Sequence, residues 1–331
     1  MEAAAPSPKR RLRYTRRSTG KRVTPTERDL AWFKALQRHG SLPSSFLLAF
    51  TRHLCRSETR ALERLGDLYH ESNTPHGGPY LNRPAQQWSA ISKFQRAVYD
   101  LAPAAEQALD ELGIRKGTGP EDVGGLYRHR LMVACVTASI ELAVKKNPSL
   151  RYISQAEILA RSPHKTVVIP CSVSYTNPRT GKRQMLEKPL VPDAIFGLEY
   201  AAEAGRRYRF FMVEADRNHE PVIRADLRET SYLRKVLQYR QVIGRGIYRE
   251  HFGMKSPMLL LTITTNARHM SNIQKMTAEV FGRAGCPYLL FATLPAFGDS
   301  LCVPSPCDQL SAAPWQRTGY SSMRIDQAED T

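Results

Sequence analysis

Three carboxylates in the middle of the chain, Asp193, Glu214 and Asp216, have the residue types and spacing to hold a hard divalent cation. Asp193 follows Pro192 and heads the run Ala-Ile-Phe-Gly-Leu-Glu-Tyr; Glu214 and Asp216 close the run Tyr-Arg-Phe-Phe-Met-Val-Glu-Ala-Asp. The polar stretch 202–207 between the runs contains Gly205, so the pair reads as a β-hairpin. Paired strands would gather the acids at one sheet edge, and alternation puts Glu214 and Asp216 on the same face. Clustered carboxylate oxygens suit Mg²⁺ or Mn²⁺. The competing reading is an ordinary hairpin with solvated acids, because short motifs also match by accident.

The hairpin resembles the metal-site core of the PD-(D/E)xK nuclease superfamily, with Pro192-Asp193 on one strand and Glu214-x-Asp216 on the next. That likeness implies Asp193 and Glu214 as ligands and Asp216 as a further ligand or base. Asp216 stands where the motif has Lys. Lys235, on the helical stretch expected over 225–251, is the candidate replacement, since that superfamily includes a Lys relocated to a neighbouring helix. The stretch 126–146 has the longest helical stripe after residue 120, with Leu126, Val133, Val136, Ile140 and Val144 at near three- or four-residue steps. His129, near its start, would approach the acids if this helix packs on the hairpin. A lone helical His is also commonly structural.

These elements sit in a chain of 331 residues with a net charge of +17, a length that suggests two domains. Such an excess of Arg and Lys favours polyanions, nucleic acid first and a membrane surface second. No apolar run approaches the roughly 20 residues needed to cross a bilayer, and the first residues lack the apolar core of a secretory signal. The six cysteines match neither a zinc site nor a disulfide framework, which fits reduced thiols in a cytoplasmic protein.

Residues 1–23 carry eight Lys or Arg against the single acid Glu2 and read as a disordered basic arm that tracks phosphates, or as a solubilising tail. Thr24-Pro25-Thr26-Glu27 marks a helix start. Three short helices follow, then a basic segment over 80–101 with strand-like ends. This order suggests a winged helix-turn-helix over 24–116. Its third helix would read double-stranded DNA through Arg56, Thr59, Arg60 and Arg64, with Arg83, Lys93 and Arg96 on the wing. Those residues facing only solvent is the alternative. Gly117-Thr118-Gly119-Pro120 marks a boundary. Helices and strands over 121–295 then fit an α/β sandwich of restriction-endonuclease type, α+β overall for the chain. Residues 296–331 read as an irregular tail anchored by Trp315.

In order, the chain resembles the replication-relaxation family of plasmid and mobile-element proteins over about residues 24–295. The stretches that carry this are Tyr80–Trp88 with Ala97–Leu101, His129-Arg130-Leu131, and Pro192–Phe196 with Phe211–Arg217 and the helix bearing Lys235 and Tyr239. The resemblance implies an N-terminal winged helix joined to a nuclease-like domain. It also implies a role in plasmid replication or DNA relaxation, either by metal-dependent nicking or as a non-enzymatic initiator or regulator. Double-stranded DNA is the expected partner. Replication proteins and a second copy of the chain are admitted as further partners.

Overall fold

Reciprocal hydrogen bonds between Thr26 and Asp29 start the first helix, α1 (Glu27–His39): the Thr26 N–H donates to Asp29 at 2.8 Å and the Asp29 N–H to the Thr26 hydroxyl at 3.4 Å. The computed structural model describes residues 13–88, 94–114, 126–178, 180–202, 205–218, 220–297 and 303–328. Two units result: Met1–Leu36 with Ser41–Lys116, and Gln37–Gly40 with Gly117–Thr331, so the division falls at the expected glycine-rich break. The fold is mixed α/β.

The first unit continues through β1 (Leu42–Pro43), α2 (Ser44–Phe50), α3 (Glu58–His70), β2 (Leu81–Asn82), β3 (Val98–Leu101) and α4 (Pro103–Asp110). Ser57 caps α3 by accepting from the Arg60 N–H. The strands form a small antiparallel sheet in the order β1-β3-β2. Trp32, Phe33, Phe46, Leu47, Leu65, Leu68 and Tyr80 are fully buried and make its core.

Part of the arm is fixed, against expectation. Arg16 donates to the carbonyls of Tyr69 and Leu81, Ser18 and Thr19 donate to Glu71, and Lys21 pairs with Asp67 at 2.5 Å. Composition pointed to disorder because the segment has little to bury; its polar groups instead satisfy acids and carbonyls of α3 and β2. Residues 1–12 lie outside the described residues.

The second unit contains α5 (Tyr127–Val144), β4 (Leu150–Ile153), α6 (Gln155–Arg161), β5 (Ser172–Thr176), β6 (Arg183–Glu187), β7 (Ala194–Ala202), β8 (Gly205–Asp216), α7 (Tyr232–Tyr239), α8 (Ile247–Phe252), β9 (Met258–Thr264), α9 (Ala267–Phe281), β10 (Cys286–Thr293), α10 (Gln309–Ala312), β11 (Trp315–Thr318) and β12 (Tyr320–Met323). Seven strands form one mixed sheet in the order β12-β11-β10-β9-β8-β7-β4. Strands β8, β9 and β10 run parallel, and the remaining pairs are antiparallel. β5 and β6 form a separate hairpin. Every residue of β9 is buried, as its apolar run requires of a strand covered on both faces. Met212, Leu260, Leu289 and Phe291 pack with α7 and α9, while α5 packs on β7 and β8.

Two expectations fail here. The helix expected over 225–251 is broken. Ser231 caps α7 at its start; a π turn at Arg240–Gly244 and Gly246, with φ of 74°, then separate α7 from α8. The tail expected to be irregular over 296–331 adds β11 and β12 to the sheet, with Trp315, the first residue of β11, buried. Cys55, Cys135, Cys171, Cys286 and Cys307 are free thiols. Among the described residues no helix is long and apolar enough to cross a membrane.

Candidate functional site

The β7–β8 register pairs Ala194 with Val213, and the Asp193 N–H donates to the Val213 carbonyl at 3.1 Å. Asp193 therefore sits beside Glu214 across the strand pair. Helix α7 supplies the rest. Tyr232, Lys235 and Tyr239 are spaced three and four residues apart, so they share one face of the helix. Lys235 Nζ lies 2.7 Å from Glu214 Oε2 and 3.0 Å from Glu220 Oε2. The Tyr239 hydroxyl donates to Glu214 Oε1 at 2.5 Å. His129 of α5 meets Asp193 Oδ1 at 3.0 Å, and the Ala215 N–H donates to Asp193 Oδ2 at 2.8 Å.

This cluster shifts its own acidities. Burial pushes the Glu214 carboxyl up to about 7, and the neighbouring Asp193 charge adds to that; Lys235 and Tyr239 pull the other way without prevailing. Burial also opposes ionisation of Asp193, but the His129 hydrogen bond, the Lys235 charge and the Ala215 N–H outweigh it and hold its pKa low. The hydrogen bond to Asp193 raises His129. Burial disfavours the Lys235 ammonium, yet three carboxylates around it lift its pKa well above the ordinary value. An ionised Asp193 thus stands beside a glutamate that titrates near neutrality, the range in which proton transfer is most effective.

Four of the five expected residues, Asp193, Glu214, Lys235 and His129, come together. Asp216 does not join them. Its Oδ2 lies 2.6 Å from His269 Nε2 of α9, and its Oδ1 accepts from the Asn218 N–H at 2.8 Å. The strand ends here in a turn in which Asn218 adopts a positive φ of 62°, and that turn draws the carboxylate onto itself. Among the described residues no group of three or more His, Cys, Asp or Glu is arranged to hold a metal ion.

The residues present fit a hard dication in part. Asp193 and Glu214 offer oxygen donors, and the buried Oε1 of Glu220 has no hydrogen-bond partner. Two carboxylates suffice for Mg²⁺ when water and substrate phosphate complete its shell. Tyr239, Glu220 and His269 were not expected at this edge. Only Tyr239 carried a signal, as a neighbour of Lys235 on the helix that bears the family resemblance, where it was given no role.

The expected DNA-contacting residues divide. Arg56, Thr59 and Arg60 are exposed around the start of α3. Arg64 instead binds the fully buried Asp29 at 2.7 Å and the Thr24 carbonyl, so it fastens the start of α1. The Arg83 guanidinium lies over the rings of Tyr69 and Tyr99 and donates to the Tyr99 hydroxyl at 2.7 Å, a structural post rather than a free wing cation. Arg96 is exposed and pairs with Glu58 at 2.8 Å. Lys93 lies outside the described residues.

No family model, curated protein or solved structure matches the chain.

Proposed function

We propose that the protein binds double-stranded DNA through its first unit and nicks it at the Asp193–Glu214–Lys235 cluster of the second, in the replication or relaxation of a plasmid or other mobile element. The observation that carries this reading is Lys235: from α7 it stands on Glu214 beside Asp193, completing the acid–acid–lysine set that the hairpin motif lacks. The parallel β8–β9 pair and the helices on both sheet faces suit a nuclease-like sandwich. The order helix, strand, two helices and two strands in the first unit suits a winged helix-turn-helix.

Asp193 and Glu214 would hold a Mg²⁺ or Mn²⁺ ion, which when bound polarises the scissile phosphate and activates a water. Lys235 offers a cation to the negative charge that builds on the phosphate. His129 orients Asp193, and Glu214, with its pKa near neutrality, is able to hold or release a proton at its carboxylate.

A supercoiled-plasmid assay with Mg²⁺ or Mn²⁺ tests this. Wild type should relax the plasmid, and Asp193→Ala and Glu214→Ala should not. A folded, DNA-binding wild type that relaxes nothing would remove the enzyme reading. It would favour a non-enzymatic initiator or transcription regulator, a reading supported by the protein donors that already engage Asp193 and Glu214. Within the first unit, Arg60→Ala should weaken DNA binding and lower the salt slope by about 1 without loss of stability. Arg64→Ala should instead cost about 2 kcal/mol in urea unfolding, because it leaves the fully buried Asp29 carboxylate with its Thr26 donors but without its cation. Equal affinity for Arg60→Ala and wild type would take α3 out of the reading role.

A further inference from the structure

Helix α7 has a second side that the carboxylate cluster does not use. Lys235 and Tyr239 face Glu214. Leu233 and Arg240, two helical turns apart, share a different side. They line a cavity of about 310 Å³ that β5 and α9 complete. On α9, Met276, Glu279 and Val280 have the i, i+3, i+4 spacing of one helix face and turn that face to the cavity. Arg240 also opens the π turn, a helix irregularity of the kind that recurs at functional sites. A cavity of this size is in the range of small-molecule sites.

The lining shows what kind of molecule fits. Leu233, Met276 and Val280 supply apolar surface. Arg240 supplies a half-buried cation. Its guanidinium reaches the Val280 carbonyl only at 3.4 Å, beyond the usual hydrogen-bond range, and it pairs with no carboxylate among the described residues. Glu279 supplies an exposed anion, and among the described residues it too has no ion-pair partner. Two opposite charges thus line one cavity without meeting each other. A lone anion at Arg240 would be opposed by Glu279, and a lone cation at Glu279 by Arg240. A molecule carrying both charges answers both residues, and the planar guanidinium suits a carboxylate in particular.

We propose that this cavity binds a small zwitterion with an apolar side chain, the chemistry of a free hydrophobic amino acid. Its carboxylate meets Arg240, its ammonium meets Glu279, and its side chain packs on Leu233, Met276 and Val280. The inference does not rest on the DNA-nicking reading.

Three of the lining residues carry methyl groups that report on the cavity directly. The full-length chain, labelled with ¹³C at Leu, Val and Met methyls, would be titrated with L-phenylalanine, with phenylacetate, which lacks the ammonium, and with phenethylamine, which lacks the carboxylate. L-Phenylalanine should shift the Leu233, Met276 and Val280 methyls saturably, with a Kd on the order of 1 mM for so small a ligand. Each truncated probe should bind about tenfold more weakly, for loss of one charged contact. Arg240→Gln should lower the affinity for L-phenylalanine about tenfold and leave that for phenethylamine unchanged or higher. Glu279→Gln, at an exposed position that leaves the core alone, should weaken L-phenylalanine and tighten phenylacetate.

No saturable shift of these methyls up to about 10 mM L-phenylalanine would overturn the site. Phenylacetate or phenethylamine binding as tightly as L-phenylalanine would overturn the zwitterion assignment. So would unchanged L-phenylalanine affinity in Glu279→Gln, a result that a folding defect cannot produce.

Discussion

Glu141 and Glu214 are glutamates of the same unit and are each 2% exposed, yet their acidities move in opposite directions. Glu141 is held down at about 2: burial works against its charge, but His39 and Arg38 overcome it. His39 Nε2 lies 2.8 Å from one oxygen, while Arg38 and Lys145 face the other. Glu214 is pushed up to about 7 by burial, with the Asp193 charge adding to it, and Lys235, shared with Asp193 and Glu220, does not offset them. Burial is equal at the two sites; the number of cations per carboxylate differs. Glu141 acts as a fastener whose charge is fully answered. Glu214 is left short of positive charge, a state that suits a residue awaiting a cation or a proton.

The largest test of this contrast is Glu141→Gln. A carboxyl whose folded pKa lies below its ordinary value stabilises the fold above that value and loses the contribution as pH falls through about 2. At pH 7 the variant should lose about 3 kcal/mol in urea unfolding, the free energy of so large a shift. A loss below about 1 kcal/mol would break the comparison.

Glu214→Gln should do the reverse. Its folded pKa is raised, so its contribution is fully present below the ordinary value near 4.5 and is lost as pH rises through about 7. At pH 8 the variant should be as stable as wild type or up to about 1 kcal/mol more stable, with the gap closing towards pH 4, as a relieved functional residue would be. A thermal-unfolding series across pH 4–8 reads this directly. Destabilisation at pH 8 would mean that Lys235 and Tyr239 answer the Glu214 charge in full.

The smallest effect concerns the neighbouring acid. His269→Ala removes the partner of Asp216 and should cost about 1 kcal/mol. In a double-mutant cycle with Glu214→Gln the coupling should stay below about 0.5 kcal/mol, since the two carboxylates have separate partners. Strong coupling would return Asp216 to the Asp193–Glu214 set.

How far these differences were legible depends on what a residue type can report. The β7–β8 hairpin was readable from its alternation and Gly205, and β9 from its unbroken apolar run, because burial writes hydrophobicity directly into a strand. The pairing of Asp193 with Glu214 follows from that hairpin. For Asp216, alternation fixes a face but not a partner; the Asn218 N–H and His269 supply its partners. Arg64 and Arg83 looked like surface cations, since periodicity cannot tell an arginine in water from one against Asp29 or Tyr99. The break between α7 and α8 was missed because the arginine-rich pattern ran straight through Gly244 and Gly246. β11 and β12 are four residues each, too short for any period to show.

The position of those last two strands has a consequence for the chain as it is made. β7, β8 and α7, which carry the carboxylate cluster, are all complete by residue 239, whereas β11 is not available until residue 318. At about 5–20 residues per second, several seconds separate the two events on the ribosome. Within that interval, from the completion of β10 at residue 293 onward, its outer edge, including the apolar Leu289, Leu290 and Phe291, is unpaired on the side that β11 will cover. Such an edge is a template for pairing with another nascent chain. Translation speed over residues 294–318 and access to a chaperone during it should therefore govern the yield of soluble protein.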